Sequence, residues 1–110
     1  MATARKSRLL ESRIDLEDGA REELVALLNE RLADTADLYS QAKQAHWSVR
    51  GTDFWQLHEL YDAVAEAIEP WIDEIAERIT TLGGIARGTV RSAAASSTLD
   101  EFPAETTDGI

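Results

Sequence analysis

The chain has 110 residues with 21 acidic and 11 basic side chains, which gives a net charge of −10 and a pI near 4.5. This length fits one small domain, and the charge disfavours general binding to nucleic acid or anionic membranes, because phosphate groups would repel it. The absence of cysteine excludes disulfides, a thiol nucleophile and thiolate metal sites. No apolar run approaches the roughly 20 residues of a membrane span and the N-terminus has no signal-peptide core, so we expect a soluble, cytoplasmic protein.

Residues 1–18 contain the one basic stretch of the sequence, and we predict that they form an N-terminal tail. The tail carries four cations within thirteen residues, namely Arg5, Lys6, Arg8 and Arg13. A basic tail is one way for a protein to bind DNA, so a nucleoid-binding protein is an alternative function. Because the cations are few and the rest of the chain is acidic, a disordered solubilising tail is the favoured interpretation, and DNA is a weak candidate partner.

Apolar residues at steps of three and four predict a first long helix over about residues 20–49. The stripe consists of Leu24, Leu28, Leu32, Ala36, Tyr39, Ala42, His46 and Val49. Gly51 follows at once, and glycine readily adopts the positive φ found just past many helix ends.

A second stripe predicts a helix that begins after Asp53 and ends at Gly83. It consists of Leu57, Tyr61, Val64, Ile68, Ile72, Ile75, Ile79 and Leu82. Asp53 and Gln56 form a capping-box pattern at the start of this helix. Pro70 lies inside it and removes one hydrogen bond, but the stripe passes through Pro70 in phase, so we predict a kink rather than a break.

The short connection between the two helices makes them antiparallel, so residues 19–84 are predicted to form a helical hairpin. Residues 85–110 are predicted to be a loop with one helical turn near Leu99 to Phe102, because Thr98 and Glu101 repeat the capping-box pattern. The predicted fold class is therefore all-α. Two helices alone cannot bury an apolar stripe, so we expect the hairpin to be half of a four-helix bundle that is truncated here or completed by another chain.

Four metal-ligand side chains, His58, Asp62, Asp73 and Glu77, share one side of the second helix. At 100° per residue they fall within an arc of about 100°. A solvated acidic face is one interpretation of this pattern. Against it, eight carboxylates and no Lys or Arg lie between Gly51 and Glu77, whereas an exposed helix usually interleaves both signs of charge. Imidazole and carboxylate ligands without thiolate suit iron, and zinc is a competitor for them.

The spacing of these side chains requires a second chain. Asp62 and Asp73 are eleven residues apart, which is about 16 Å along a helix, so one chain cannot bring both to one metal centre. Two copies of the helix, antiparallel about a two-fold axis near Ile68, would form two equivalent sites. His46 lies close to the start of the second helix through the short turn, and it can join the same site.

The run from Lys43 to Thr89 resembles the Dps family, the DNA-protection-during-starvation mini-ferritins. The matching motifs are His46-Trp47-x-Val49-Arg50-Gly51, Phe54 with Leu57-His58-Glu59, Asp73 with Ala76-Glu77-Arg78, and Leu82-Gly83-Gly84. The signature extends over nearly fifty residues and the flanking segments agree with it in order and character, so the resemblance is specific.

The resemblance implies a ferritin-like fold and an intersubunit ferroxidase centre. Its ligands would be His46, His58 and Asp62 from one subunit, with Asp73 and Glu77 from the two-fold mate. Members of the family assemble as hollow dodecamers of four-helix subunits, oxidise iron(II) preferentially with hydrogen peroxide, store ferric mineral and protect against oxidative stress. Family subunits continue with two further long helices, and we expect this chain to lack that C-terminal helix pair. A non-catalytic helical assembly module is therefore the alternative to a ferroxidase-type oxidoreductase.

Three tryptophans have separate interpretations. Trp47 resembles the family tryptophan beside the iron centre, where it would intercept stray oxidising equivalents. Trp55 and Trp71 are predicted to pack at helix interfaces, because large aromatic side chains most often serve that purpose.

Overall fold

A computed structural model describes residues 9–105 of the chain. It contains three helices, α1 (Asp18–Ser48), α2 (Phe54–Thr81) and α3 (Val90–Ser96), and no strand occurs in this range. Arg21 near the start of α1 reaches Leu82 just after α2, whereas His46 near the end of α1 lies against His58 near the start of α2. The two long helices are therefore antiparallel, which confirms the predicted all-α hairpin.

The hairpin is a single layer of helices. The chain as a whole measures 55 × 29 × 16 Å, so even with α3 its thinnest dimension is little more than the 10–12 Å diameter of one helix with its side chains. Large apolar side chains consequently stay exposed on both helices; Leu27, Leu60 and Trp71 each retain half or more of their accessible surface. This is the arrangement expected of a ferritin-like half-bundle, in which one face of the hairpin still has apolar surface to bury.

The core of the hairpin lies toward the end where α1 begins and α2 ends. Val25, Leu32, Ile79 and Leu82 form its buried cluster, with Leu32 and Ile79 the largest side chains that are completely buried. All four lie at positions with helical periodicity, so removal of their surface from water is what holds α1 against α2.

The helix boundaries agree with the predictions within a few residues, but the capping prediction at Asp53 is wrong. The Asp53 side chain makes no capping hydrogen bond. Instead, a backbone hydrogen bond closes the turn, in which the Phe54 N–H donates to the Gly51 carbonyl at 3.1 Å. Gly51 adopts the predicted positive φ, 99°. The α2 helix passes through Pro70 without a break.

The N-terminal segment differs from the predicted tail. Residues 9–17 are not a free extension, because two of their apolar side chains pack on the core. The Leu10 N–H donates to the Gly83 carbonyl at 2.7 Å, and the buried guanidinium of Arg21 donates to the carbonyls of Leu10 and Leu82. Gly83 has φ 89°, and a Cβ there would collide with the Leu10 carbonyl oxygen, so glycine is required for this close approach.

Most of the predicted basic tail lies outside the described residues. Arg5, Lys6 and Arg8 belong to residues 1–8, and only Arg13 of the four cations falls within the range that the structure covers.

The segment after α2 forms a helix earlier than predicted. The helix is α3, capped by Thr89, whose hydroxyl accepts from the Ser92 N–H at 3.1 Å. The predicted turn near residues 99–102 is wrong, because Thr98 donates both its N–H and its hydroxyl to the Asp34 carboxylate of α1. Those hydrogen bonds, the backbone N–H first, lower the pKa of Asp34. The Asp34 contact therefore ties the segment to α1 instead of capping a helix.

Neither long helix within residues 9–105 combines the length and the apolar character that crossing a bilayer requires.

Candidate metal centre

The two histidines of the chain lie against each other where α1 and α2 meet. His46 is in the last turn of α1 and His58 in the second turn of α2. Their rings are stacked, with centroids 3.7 Å apart and planes inclined by 18°. The five-residue connection brings the two helix ends together, and the antiparallel packing sets the two rings face to face.

Each histidine is held by the backbone of the other. The His46 Nδ1 lies 2.6 Å from the His58 carbonyl oxygen, and the His58 Nδ1 lies 2.9 Å from the His46 carbonyl oxygen. A carbonyl oxygen only accepts, so both Nδ1 atoms donate, and in its neutral form each ring then keeps the Nε2 lone pair for another partner. A hydrogen bond from the second ring nitrogen to a carbonyl is the usual way in which proteins orient a metal-binding imidazole. The pair therefore fits a metal ion on chemical grounds.

The stacked geometry limits what the two rings can bind together. A metal ion bound by an imidazole lies in the plane of the ring at about 2.0–2.1 Å from the nitrogen. Two planes inclined by only 18° with ring centres 3.7 Å apart meet at a distance on the order of 10 Å, far beyond that bond length. One ion consequently cannot bond to both rings in this arrangement, whereas two ions can each bond to one ring.

Asp62 is the carboxylate that this chain brings near the histidine pair. It follows His58 by one helical turn, and its Oδ1 lies 2.7 Å from the Lys43 Nζ of α1. The hydrogen bond from Lys43 is the main cause that lowers the pKa of Asp62, and the charge of Lys43 lowers it further, with smaller effects from His46 and His58 when those rings are protonated. Asp62 is therefore ionised at neutral pH, the state in which a carboxylate binds a cation.

Asp73 and Glu77 do not join this group within one chain. Both side chains are exposed on the second half of α2, and α2 is continuous between Asp62 and Asp73, which separates those two residues by about 16 Å. Among residues 9–105, no three metal-ligand side chains come together as a complete site. Of the five predicted ligands, a single chain thus presents two imidazoles and one carboxylate at one end of α2, and two carboxylates toward the other.

The three tryptophans are exposed in the single chain. Trp47 follows His46 and has 66% of its surface accessible, while Trp55 and Trp71 have 64% and 53% accessible. Trp55 and Trp71 are not covered by a helix of their own chain, so their packing at helix interfaces stays a prediction for contacts with another chain. Trp55 lies near the metal centre, with its ring 6.2 Å from that of His58.

Two residues at the centre were missed by sequence reasoning. Lys43 supplies a cation to the acidic helix from the other helix, so a search for neutralising charges along α2 alone could not find it. Phe54 stacks on His58 with centroids 4.9 Å apart. Its spacing of four residues before His58 was the available signal, because side chains at that spacing are neighbours on a helix.

Comparison with known proteins identifies the family and the fold of the chain. The ferritin-like domain family matches residues 25–108. A DNA protection during starvation protein from Agrobacterium fabrum is 36% identical over 91 residues, which are 83% of this chain and 56% of that protein. The solved structure of DpsC from Streptomyces coelicolor superposes with a TM-score of 0.82 at 38% identity, over 86% of this chain and 55% of its own. A Dps protein from Vibrio cholerae, described as a ferritin-like diiron-carboxylate protein, superposes with a TM-score of 0.84 at 25% identity, over 93% and 64% of the two chains.

The chain belongs to the ferritin-like family, within its Dps branch. The resemblance inferred from the His-Trp and Ala-Glu-Arg motifs is thereby confirmed. The chain spans about half the length of the curated relatives that it matches, for instance 58% of one and 44% of another.

Proposed function

We propose that this chain oxidises iron(II) with hydrogen peroxide at a ferroxidase centre shared between two copies, for iron storage and protection from oxidative damage. The observation that carries the proposal is the reciprocal pair of His46 and His58, each held through Nδ1 by the carbonyl of the other. Imidazoles oriented in this way beside an ionised Asp62 are ready to receive a cation without rearrangement of the backbone.

The second half of the centre comes from a symmetry mate. Asp73 and Glu77 are one helical turn apart, as are His58 and Asp62, so each pair lies on one side of α2. Two α2 helices running antiparallel about a two-fold axis near Ile68 bring the first pair of one copy to the second pair of the other. The partner is therefore a second copy of this chain, with two equivalent sites in each dimer. Larger assemblies, up to the dodecamer of the Dps family, are built from such dimers.

The centre binds two iron(II) ions rather than one. The support is the geometry of the stacked rings, whose planes do not converge on a common ion at bonding distance. The rings are stacked in two separate planes, so each imidazole is free to bind an ion of its own, as in two-metal sites. The description of the Vibrio cholerae relative as a diiron-carboxylate protein is in keeping with this number.

The chemistry pairs two one-electron oxidations with one two-electron reduction. Two iron(II) ions each lose one electron to a hydrogen peroxide molecule, whose O–O bond breaks, and two protons complete two water molecules. Because both electrons arrive together, hydroxyl radical is not released. Carboxylates such as Asp62 and Asp73 favour the ferric product, since hard anionic oxygens bind the more highly charged ion better. Trp47, exposed beside His46, takes up stray oxidising equivalents.

Protection of DNA, the property for which the relatives are named, follows here from removal of iron(II) and peroxide. Direct contact with DNA is disfavoured by the net charge of −10. A gel-shift assay at low salt is expected to give no shift; a shift that is lost on deletion of residues 2–13 and weakened by salt would instead assign DNA binding to the basic tail.

The experiment that tests the ferroxidase proposal is iron(II) oxidation with peroxide, followed by the ultraviolet absorbance of the ferric product. The double variant Asp73→Ala/Glu77→Ala is expected to oxidise iron(II) no faster than a protein-free solution. The matched control is Glu23→Ala/Glu74→Ala, which removes the same charge from exposed positions outside the proposed ligand set and is expected to keep the wild-type rate. Equal rates for wild type and Asp73→Ala/Glu77→Ala would refute the proposal.

A further inference from the structure

The His58 ring has an aromatic ring on each face. His46 covers one face at 3.7 Å between centroids, so Phe54, stacked at 4.9 Å with planes inclined by 25°, lies on the other. Phe54 is the first residue of α2 and precedes His58 by one helical turn. The helix therefore holds the phenyl ring over the imidazole.

We propose that Phe54 is a positioning residue, which keeps the His58 imidazole in the orientation that presents its Nε2 to a divalent cation. The proposal rests on the ferroxidase function proposed above and adds a residue to it. The hydrogen bond from the His58 Nδ1 to the His46 carbonyl fixes one edge of the ring. Rotation of the imidazole about its bond to Cβ would break that hydrogen bond and sweep the ring through the space of the two rings stacked on it. Phe54 on one side and His46 on the other therefore block this rotation.

The role of Phe54 differs from ordinary core packing. Phe54 keeps 40% of its surface accessible and belongs neither to the buried cluster nor to the partly buried side chains packed against it, so it is not part of the core that holds α1 against α2. Trp55, the next residue, is farther from His58 at 6.2 Å and is tilted by 34°. The stacking that restrains His58 on this side consequently depends on Phe54 and not on its neighbour.

The first test compares Phe54→Leu with Phe54→Tyr by cobalt(II) titration of the full chain, followed by the visible absorption of the bound cobalt. Leucine keeps an apolar side chain and a good helix former but has no flat face, and we expect cobalt(II) affinity to fall about 3- to 10-fold, the range that one aromatic stack contributes. Tyrosine restores the stack, since its hydroxyl reaches solvent at this exposed position, and is expected to bind within twofold of wild type. Val90→Ala, which removes apolar atoms at an exposed position of α3 outside the proposed ligand set, is the control and is expected to bind like wild type.

The second test needs no metal. Nitrogen-15 NMR of the histidine side chains is expected to give a single Nδ1–H tautomer for His58 in wild type and Phe54→Tyr, and averaged ring-nitrogen shifts in Phe54→Leu. If no variant binds cobalt(II) but only Phe54→Leu has averaged shifts, Phe54 positions His58 and the ferroxidase proposal alone is refuted. If Phe54→Leu keeps the wild-type cobalt spectrum, affinity and His58 signals, the positioning role is refuted.

Discussion

The shared ferroxidase centre makes a quantitative prediction for mixtures of two inactive variants. One variant, His46→Ala/His58→Ala, lacks both imidazoles, and the other, Asp73→Ala/Glu77→Ala, lacks the carboxylates that the mate would supply. In a dimer made of either variant alone, both sites lack part of their ligand set. We expect each to oxidise iron(II) at the protein-free rate.

The mixture is expected to recover about a quarter of wild-type activity. When the two variants are unfolded together and refolded at equal concentration, random pairing makes half of the dimers mixed. In a mixed dimer one site receives every altered ligand and the other receives none, so half of its sites are intact. The reasoning depends on the continuity of α2 between the two ligand pairs, because that helix holds Asp62 and Asp73 about 16 Å apart and prevents one chain from completing the site.

The assay is the initial rate of iron(II) oxidation with hydrogen peroxide at fixed total protein. Each variant refolded with itself is the control for activity gained by refolding alone, and wild type refolded in the same way sets the full rate. A mixture that is no more active than its two components would mean that every ligand of a site comes from one chain. The two-fold arrangement would then be wrong.

Three further predictions concern the hairpin. Replacement of Ile79 by alanine removes three completely buried carbon atoms and is expected to lower the free energy of unfolding in urea by about 3 kcal/mol. Replacement by valine removes one carbon atom and is expected to lower it by about 1 kcal/mol. Equal losses for the two variants would contradict the described core. Lys43 lowers the pKa of Asp62, so their pair stabilises the fold above the unfolded-state pKa of about 3.9, and this stabilisation disappears as the pH falls through the lowered pKa. Unfolding curves measured through that acidic range should accordingly depend less on pH in Lys43→Met, and identical pH dependence would exclude a contribution from the pair. Gly83→Ala, at φ 89° and against a backbone carbonyl, is expected to lower the thermal midpoint through a loss of about 1–3 kcal/mol, whereas Gly19→Ala, with open space around it, should not lower it.

The helices could be predicted from the sequence because their signals are local. Stripes at steps of three and four set the extent of α1 and α2, and Gly51 marked the turn between them. The same local reasoning was wrong at Asp53 and Thr98, where capping-box patterns occur without a cap. Thr98 donates to Asp34 instead, and a residue 64 positions away is not visible to a four-residue pattern.

The features of the candidate site also fall into those that local spacing predicts and those that depend on the packing of α1 against α2. Spacing alone placed His58 and Asp62 on one side of α2 and demanded a second chain for Asp73, since the rise and rotation of a helix convert sequence separation directly into distance and direction. The stacking of His46 on His58, their exchange of carbonyl hydrogen bonds and the approach of Lys43 to Asp62 all join α1 to α2. These contacts depend on how the two helices rotate and slide against each other, and that choice is made by the packing of the whole interface rather than by any local run of residues.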